Sequence, residues 1–185
     1  MKTTCQKKIV TLLISAACMG AAVVYADQMD DYAAYCSESG GVVEEMPAEI
    51  YTSIGLVKGQ SKMFCNFTAG NGFVAIGLET FSSNEPSIAA TFIKKMGEIG
   101  EQSNLFKGVY SNPSHNVCKN LGGASIGFVA AGGFANQLGQ SDICVFGDGS
   151  MVSGWSLVYM ANHREGYDDI KNKVKADPLG IYIPR

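Results

Sequence analysis

The sequence predicts an α+β protein made of two tandem small units, each a short helix, an antiparallel sheet or hairpin and a second helix, with one disulfide per unit. The first observation behind this is a repeated motif. Cys36-Ser-Glu-Ser-Gly40-Gly41 followed by Cys65-Asn-Phe67 recurs as Cys118-Lys-Asn-Leu-Gly122-Gly123 followed by Cys144-Val-Phe146. Counting on from the second cysteine of each copy, Gly70 falls on Gly149, Ile76 on Trp155 and Leu78 on Leu157. The second observation is that both copies pass from helical to strand-like spacing at the double glycine. The third is that four cysteines at matched places allow three connectivities, of which the repeat selects Cys36 with Cys65 and Cys118 with Cys144.

The chain opens with a leader. Lys2, Lys7 and Lys8 precede an apolar stretch from Ile9 to Val24, and Val24-Tyr25-Ala26 ends it before Asp27. A basic start, an apolar middle and a small-x-small end form a secretory signal peptide, expected over residues 1–26. The apolar stretch is short for a span of about 20 residues, so an uncleaved anchor is the weaker reading. Cys18 in Ser15-Ala16-Ala17-Cys18 is where a lipid anchor would attach, although Ser15 stands where lipoprotein signals usually carry Leu. The units are then 27–103 and 104–185.

In the first unit, Tyr32, Tyr35 and Cys36 lie at helical spacing and Gly40-Gly41 stop the helix. A long connection runs from Glu44 to Lys62. Strands Phe64–Phe67 and Phe73–Ile76 flank a turn at Ala69-Gly70-Asn71-Gly72, with Asn71-Gly72 supplying the positive φ. Asn84-Glu85-Pro86-Ser87 then caps a helix through Ile88, Phe92, Ile93 and Met96. A connection near Gly100 to Tyr110 leads to the second unit. There Asn112 caps a helix with Pro113 at its first position, and Gly122-Gly123 end it.

The strand Ala124 to Ala131 places Ile126, Phe128 and Ala130 on one face, and Gly132-Gly133 with the polar Asn136 to Asp142 segment connect back. Ile143–Phe146, the turn Gly147-Asp148-Gly149-Ser150 and a strand from Met151 to Tyr159 complete a second hairpin. Tyr167, Ile170 and Val174 mark the last helix, with Lys171, Lys173 and Lys175 outward. Asp177-Pro178 ends it, leaving Ile181-Tyr182-Ile183 as a tail able to add an edge strand. A unit of this size is marginal alone, and a crosslink closing such a loop contributes about 2 to 4 kcal/mol.

Asn112 to Gly123, then Ile143 to Ser150 and Trp155, resemble a small bacterial envelope domain of unknown function often labelled a hemolysin. Its pattern is Asn-Pro-x-x-x-x-Cys-x-x-x-Gly-Gly, then Cys-x-Phe-x-Asp-Gly-Ser, then Trp. The similarity is close over Asn112 to Tyr159 and degenerate over Tyr35 to Phe81, which lacks the Asp-Gly-Ser and the Trp. Many members carry another cysteine just after the Asp-Gly-Ser turn, where this chain has Met151 and Val152. The resemblance implies a small α+β envelope module, often lipidated, and no established activity.

The chemistry expected is sparse. Formal net charge is −3, and the leader holds three lysines and no acid, so the chain without it stands at −6. That disfavours nucleic acid and anionic lipid as partners. No two of the four matched cysteines are closer than 26 residues, unlike the paired spacing of a zinc site. The two histidines, His115 and His163, lie in no metal motif, and no cofactor motif is present. His115 is three residues from Cys118, so a Cys-His hydrolase is conceivable only if Cys118 is a free thiol. Asn66-Phe67-Thr68 reads as strand, and Glu44-Glu45 and Asp168-Asp169 read as solvated faces. Trp155, aligned with Ile76, is assigned to the core, and Gly40, Gly41, Gly122, Gly123, Asp148 and Gly149 to structural turns.

The expectation is therefore a non-enzymatic exported protein, periplasmic or outer-membrane associated, acting in binding or assembly without a cofactor. One form is an accessory structural subunit of an outer-membrane or secretion complex, with other envelope proteins as partners. The alternative is a soluble periplasmic or secreted binding or inhibitor module. Once the leader is removed no transmembrane span is expected, so membrane association would need a partner or a lipidated Cys18.

Overall fold

The computed structural model describes residues 27–70, 72–130 and 140–184. The leader with Cys18, Asn71, Gly132-Gly133 and most of the Asn136 to Asp142 segment lie outside the described residues. The elements are a helix α1 over 27–38, strands β1 (Val42–Thr52), β2 (Gly55–Ala69) and β3 (Gly72–Gly77), and helices α2 (Leu78–Ser82) and α3 (Ile88–Lys95). After a 3-10 turn at Asn104–Phe106 come α4 (Pro113–Asn120), β4 (Ala124–Val129), β5 (Gln140–Val145), β6 (Met151–Ser153), α5 (Gly154–Ala161) and α6 (Tyr167–Lys173).

These strands close into one antiparallel barrel in the order β1-β2-β3-β6-β5-β4, which corrects the expectation of two tandem units. The seams are Ile76 opposite Val152 between β3 and β6, and Ala48 and Glu49 opposite Phe128 and Gly127 between β1 and β4. The reason is the apolar inner face that each three-stranded half carries. Met46, Ala48, Phe64 and Ala75 from one half pack with Phe128, Ala130 and Ile143 from the other, and Phe64 meets Phe128 edge to face at 5.1 Å. Closing one sheet on the other buries both faces and removes most strand edges at once. The recurring sequence is thus a local motif used at two places in one barrel, and a tandem-repeat architecture is excluded.

The motif has a common stereochemical basis. In α1 the Gly40 N–H bonds Ser37 O at 3.0 Å and the Gly41 N–H bonds Cys36 O at 2.9 Å. In α4 the Gly122 N–H bonds Lys119 O at 3.0 Å and the Gly123 N–H bonds Cys118 O at 2.9 Å. This pair of bonds is the Schellman helix end, which needs a left-handed residue at its first glycine; φ is +86° at Gly40 and +84° at Gly122. The second glycine serves the disulfide. A Cβ on Gly41 would lie 2.6 Å from Cys65 Sγ and 2.9 Å from Cys36 Sγ, and one on Gly123 would lie 2.5 Å from Cys144 Sγ and 3.0 Å from Cys118 Sγ. Cys36 is bonded to Cys65 and Cys118 to Cys144, so each crosslink pins a helix end to a barrel strand.

Four local expectations also change. Residues 44–62 form most of a long hairpin, β1 and β2, where the sequence suggests a connection, because beyond the barrel both faces meet solvent and no apolar alternation marks the strands. The predicted strand Met151 to Tyr159 is β6 followed by α5. Ser153 Oγ caps the Ser156 N–H, and Leu157, Val158, Met160 and Ala161 are buried at helical spacing. The tail at Ile181–Ile183 adds no strand. The first tight turn also sits one residue earlier than expected, since Ala69 and Gly72 are its flanking pair.

Helices cover the outside of the barrel, and this outer core also mixes the two halves: Phe92 of α3 packs on Phe146 at 5.3 Å. Among the described residues no helix is long and apolar enough to cross a membrane.

Candidate functional site

The Asp-Gly-Ser turn joins the halves. The first three N–H groups of a helix have no partner within it, and in α3 each is met by a side chain. Asp148 Oδ2 accepts from Ile88 N at 2.7 Å, Ser150 Oγ from Ala89 N at 2.9 Å and Ser87 Oγ from Ala90 N at 3.4 Å. Asp148 Oδ1 in turn accepts from Ser150 Oγ at 2.6 Å and Ser150 N at 3.0 Å. Burial alone would raise the Asp148 carboxyl, but the bonds from Ser150, Ile88 and the turn backbone outweigh it and hold it below its ordinary 3.8. Gly149 takes the left-handed conformation at φ +82°, while Asp148 does not, so this is not the two-residue turn with positive φ at both positions. Asp148 and Gly149 act as a cap for α3.

Trp155 is half-buried on α5, packed against the outer core and stacked on Tyr159 at 5.6 Å. The arrangement around His115 offers no thiol, because Cys118 is bonded to Cys144. His115 Nε2 lies 2.9 Å from Asp142 Oδ2, off the line a hydrogen bond requires, and Asn112 Nδ2 donates to that same oxygen at 3.0 Å. His163 Nδ1 pairs with Asp168 at 2.9 Å on an exposed surface. Among the described residues no group of three or more His, Cys, Asp and Glu side chains is placed to hold a metal.

Met46, Phe64, Phe128 and Ile143 pack together inside the barrel, and the candidate features lie on the surface outside it. Two connected features stand out there. One is a cleft of about 490 Å³ whose wall includes Ser61, Lys62 and Met63 of β2, Gly77 to Thr80, Ser83, Glu85 to Ser87 and Asp148 to Met151. The other is the ribbon made by the outer parts of β1 and β2. No family model matches this chain, and neither does any curated protein or solved structure.

The ribbon follows from where pairing stops. Among the described residues β4 meets β1 only at Ala48 and Glu49, and β3 meets β2 only from Phe64 onward. β1 and β2 nevertheless stay paired with each other out to Thr52 and Gly55. Residues 55–63 of β2 therefore have a strand on one side only, over roughly 30 Å at about 3.3 Å per residue. Ile50, Ile54, Leu56 and Val57 are 48, 92, 46 and 44% exposed, and no charge occurs between Glu49 and Lys58. An uncharged, apolar tip on an open strand edge is costly to leave in water and prone to pair with other chains. The sequence reading takes Glu44 to Lys62 as a connection and not as strand. The signal available was its β-branched run at Ile50 to Val57.

Proposed function

We propose that this protein is a non-enzymatic component of the cell envelope acting in binding or assembly, an accessory structural subunit whose β1–β2 ribbon docks onto another envelope protein. The observation that carries this reading is the ribbon itself: a two-stranded arm with apolar side chains on its outer part, projecting from a barrel that is otherwise closed and packed. Export is supported by the leader pattern and by two crosslinks, which persist in oxidising compartments. The resemblance of Asn112 to Trp155 to the hemolysin-labelled envelope domain agrees with that compartment. A lipidated Cys18 would add a membrane tether to the same role.

The test is site-specific photocrosslinking in cells that export the chain, with the photoreactive residue at Ile54 and, as a control, at the exposed Lys107. The reading expects one discrete adduct to an envelope protein from position 54, lost when Leu56 and Val57 are changed to Ser. Equal adducts from both positions, or none from position 54, would contradict it.

A further inference from the structure

The nature of the partner can be read from the free edge of β2, on the premise that the ribbon is the docking arm. β3 runs antiparallel to β2 and leaves it at Gly77, opposite Phe64, where the chain turns into α2. Past that point alternate residues of β2 from Met63 to Gly55 present backbone N–H and C=O groups to a lane in which no described residue pairs with them. The lane begins in the cleft, whose wall includes Ser61, Lys62 and Met63. A segment lying in it would continue the line of β3, starting beside Met63 and ending beside Gly55.

Charge decides what that segment is. Lys58 and Lys62 are exposed and are the only charged residues on β2. β1, the strand that does pair with β2, carries Glu44, Glu45 and Glu49 among apolar residues, and Glu49 sits opposite Lys58. A second copy of β2 is a poor occupant, since any antiparallel register puts four lysines and no acid on adjacent strands. Gly59 and Gln60 together face the single Ala48, a bulge that further discourages edge-to-edge self-pairing. At the cleft end the sign reverses, because Glu79 and Glu85 are exposed in its wall and Asp148 is already engaged with α3.

We infer that the free edge of β2 is a strand-addition site for an extended segment of another protein, bound antiparallel, with a basic residue first, in the cleft, and apolar residues alternating with acidic ones after it. Backbone bonds to the edge hold the segment, and its acidic side chains, on the face where Lys58 lies opposite Glu49, select it. Lys62, opposite Met46 across the bulge, lies on the other face beside an apolar residue.

The probe is a synthetic ten-residue peptide with Lys first and then alternating Val and Glu, titrated by fluorescence anisotropy against the oxidised protein. Saturable binding is expected. N-methylation of alternate peptide nitrogens is expected to weaken it at least about tenfold by removing the backbone bonds. Lys58→Glu, on an exposed position where thermal unfolding reports the fold, is expected to do the same and to prefer a peptide with Lys in place of each Glu. No binding, indifference to N-methylation, or equal binding of both peptides would overturn the inference. So would stronger association with phosphatidylglycerol vesicles than with the peptide, since that would make the ribbon a membrane probe. If the peptide fails while the Ile54 adduct persists, only the strand-addition inference falls; if both fail, the docking role falls with it.

Discussion

Replacing Asp148 tests whether the Asp-Gly-Ser turn holds the two halves together through α3. Asp148→Ala removes the acceptor for the Ile88 N–H and releases Ser150, which caps Ala89. Loss of a capping side chain costs typically about 1 kcal/mol and up to about 2, and a carboxylate near a helix start adds a few tenths through the dipole. The expected loss near pH 7 is therefore about 1 to 2 kcal/mol, or a few degrees of unfolding temperature for a chain of this size. Asp148→Asn keeps the shape and one acceptor, so it should lose about half as much. The sign with pH follows from the lowered carboxyl. Folding favours the charged form, so its contribution is complete above the ordinary value of 3.8 and disappears as pH falls through the lower folded value. Urea unfolding followed by Trp155 emission at about pH 7, 5 and 3 should show a gap between wild type and Asp148→Asn that narrows at the acid end. A gap independent of pH, or an Asp148→Ala variant as stable as wild type, would refute the capping role.

Other outcomes follow from the same geometry. Tyr167 is fully buried with no partner for its hydroxyl among the described residues, and burial pushes that hydroxyl above its ordinary 10. Tyr167→Phe should be neutral or stabilising by up to about 1 kcal/mol in the same urea assay, because it removes an unsatisfied group. Gly41→Ala and Gly123→Ala should each destabilise by about 2 kcal/mol or more, since the new methyl meets both sulfurs of a crosslink. Reducing either disulfide should cost about 3 to 4 kcal/mol by loop-closure entropy, as the loops span 29 and 26 residues; thiol-trapped unfolding curves measure it. Ile54→Ser should leave stability within about 0.5 kcal/mol, because the side chain is almost wholly exposed.

Much of the local structure was legible because single residues dictate it. The glycine pairs announce helix ends, Asn112 and Ser87 announce helix starts, and the recurrence of Cys-x-x-x-Gly-Gly follows from placing a cysteine at the third residue from a Schellman end. Barrel closure was not legible, because its seams rest on few pairs, Ile76 with Val152 and Ala48 with Phe128, far apart in sequence. α5 was hidden for a different reason: Met151, Trp155, Leu157 and Tyr159 fit a strand period until Ser153 is recognised as a cap. The candidate site was the least legible part. A ribbon exposed on both faces has no buried stripe, and its open edge is defined by where β3 stops, which is a property of the barrel and not of residues 55–63.

The central claim is that the halves close on each other, leaving the outer edge of β2 open. Cross-strand nuclear Overhauser contacts in isotopically labelled protein test it most directly. The fold requires contacts between Ile76 and Val152 and between Ala48 and Phe128, together with none from any strand to the outer edge of residues 55–62. Absence of both seam sets, with the pairings inside each half intact, would show two separate sheets and contradict the barrel and the binding edge derived from it.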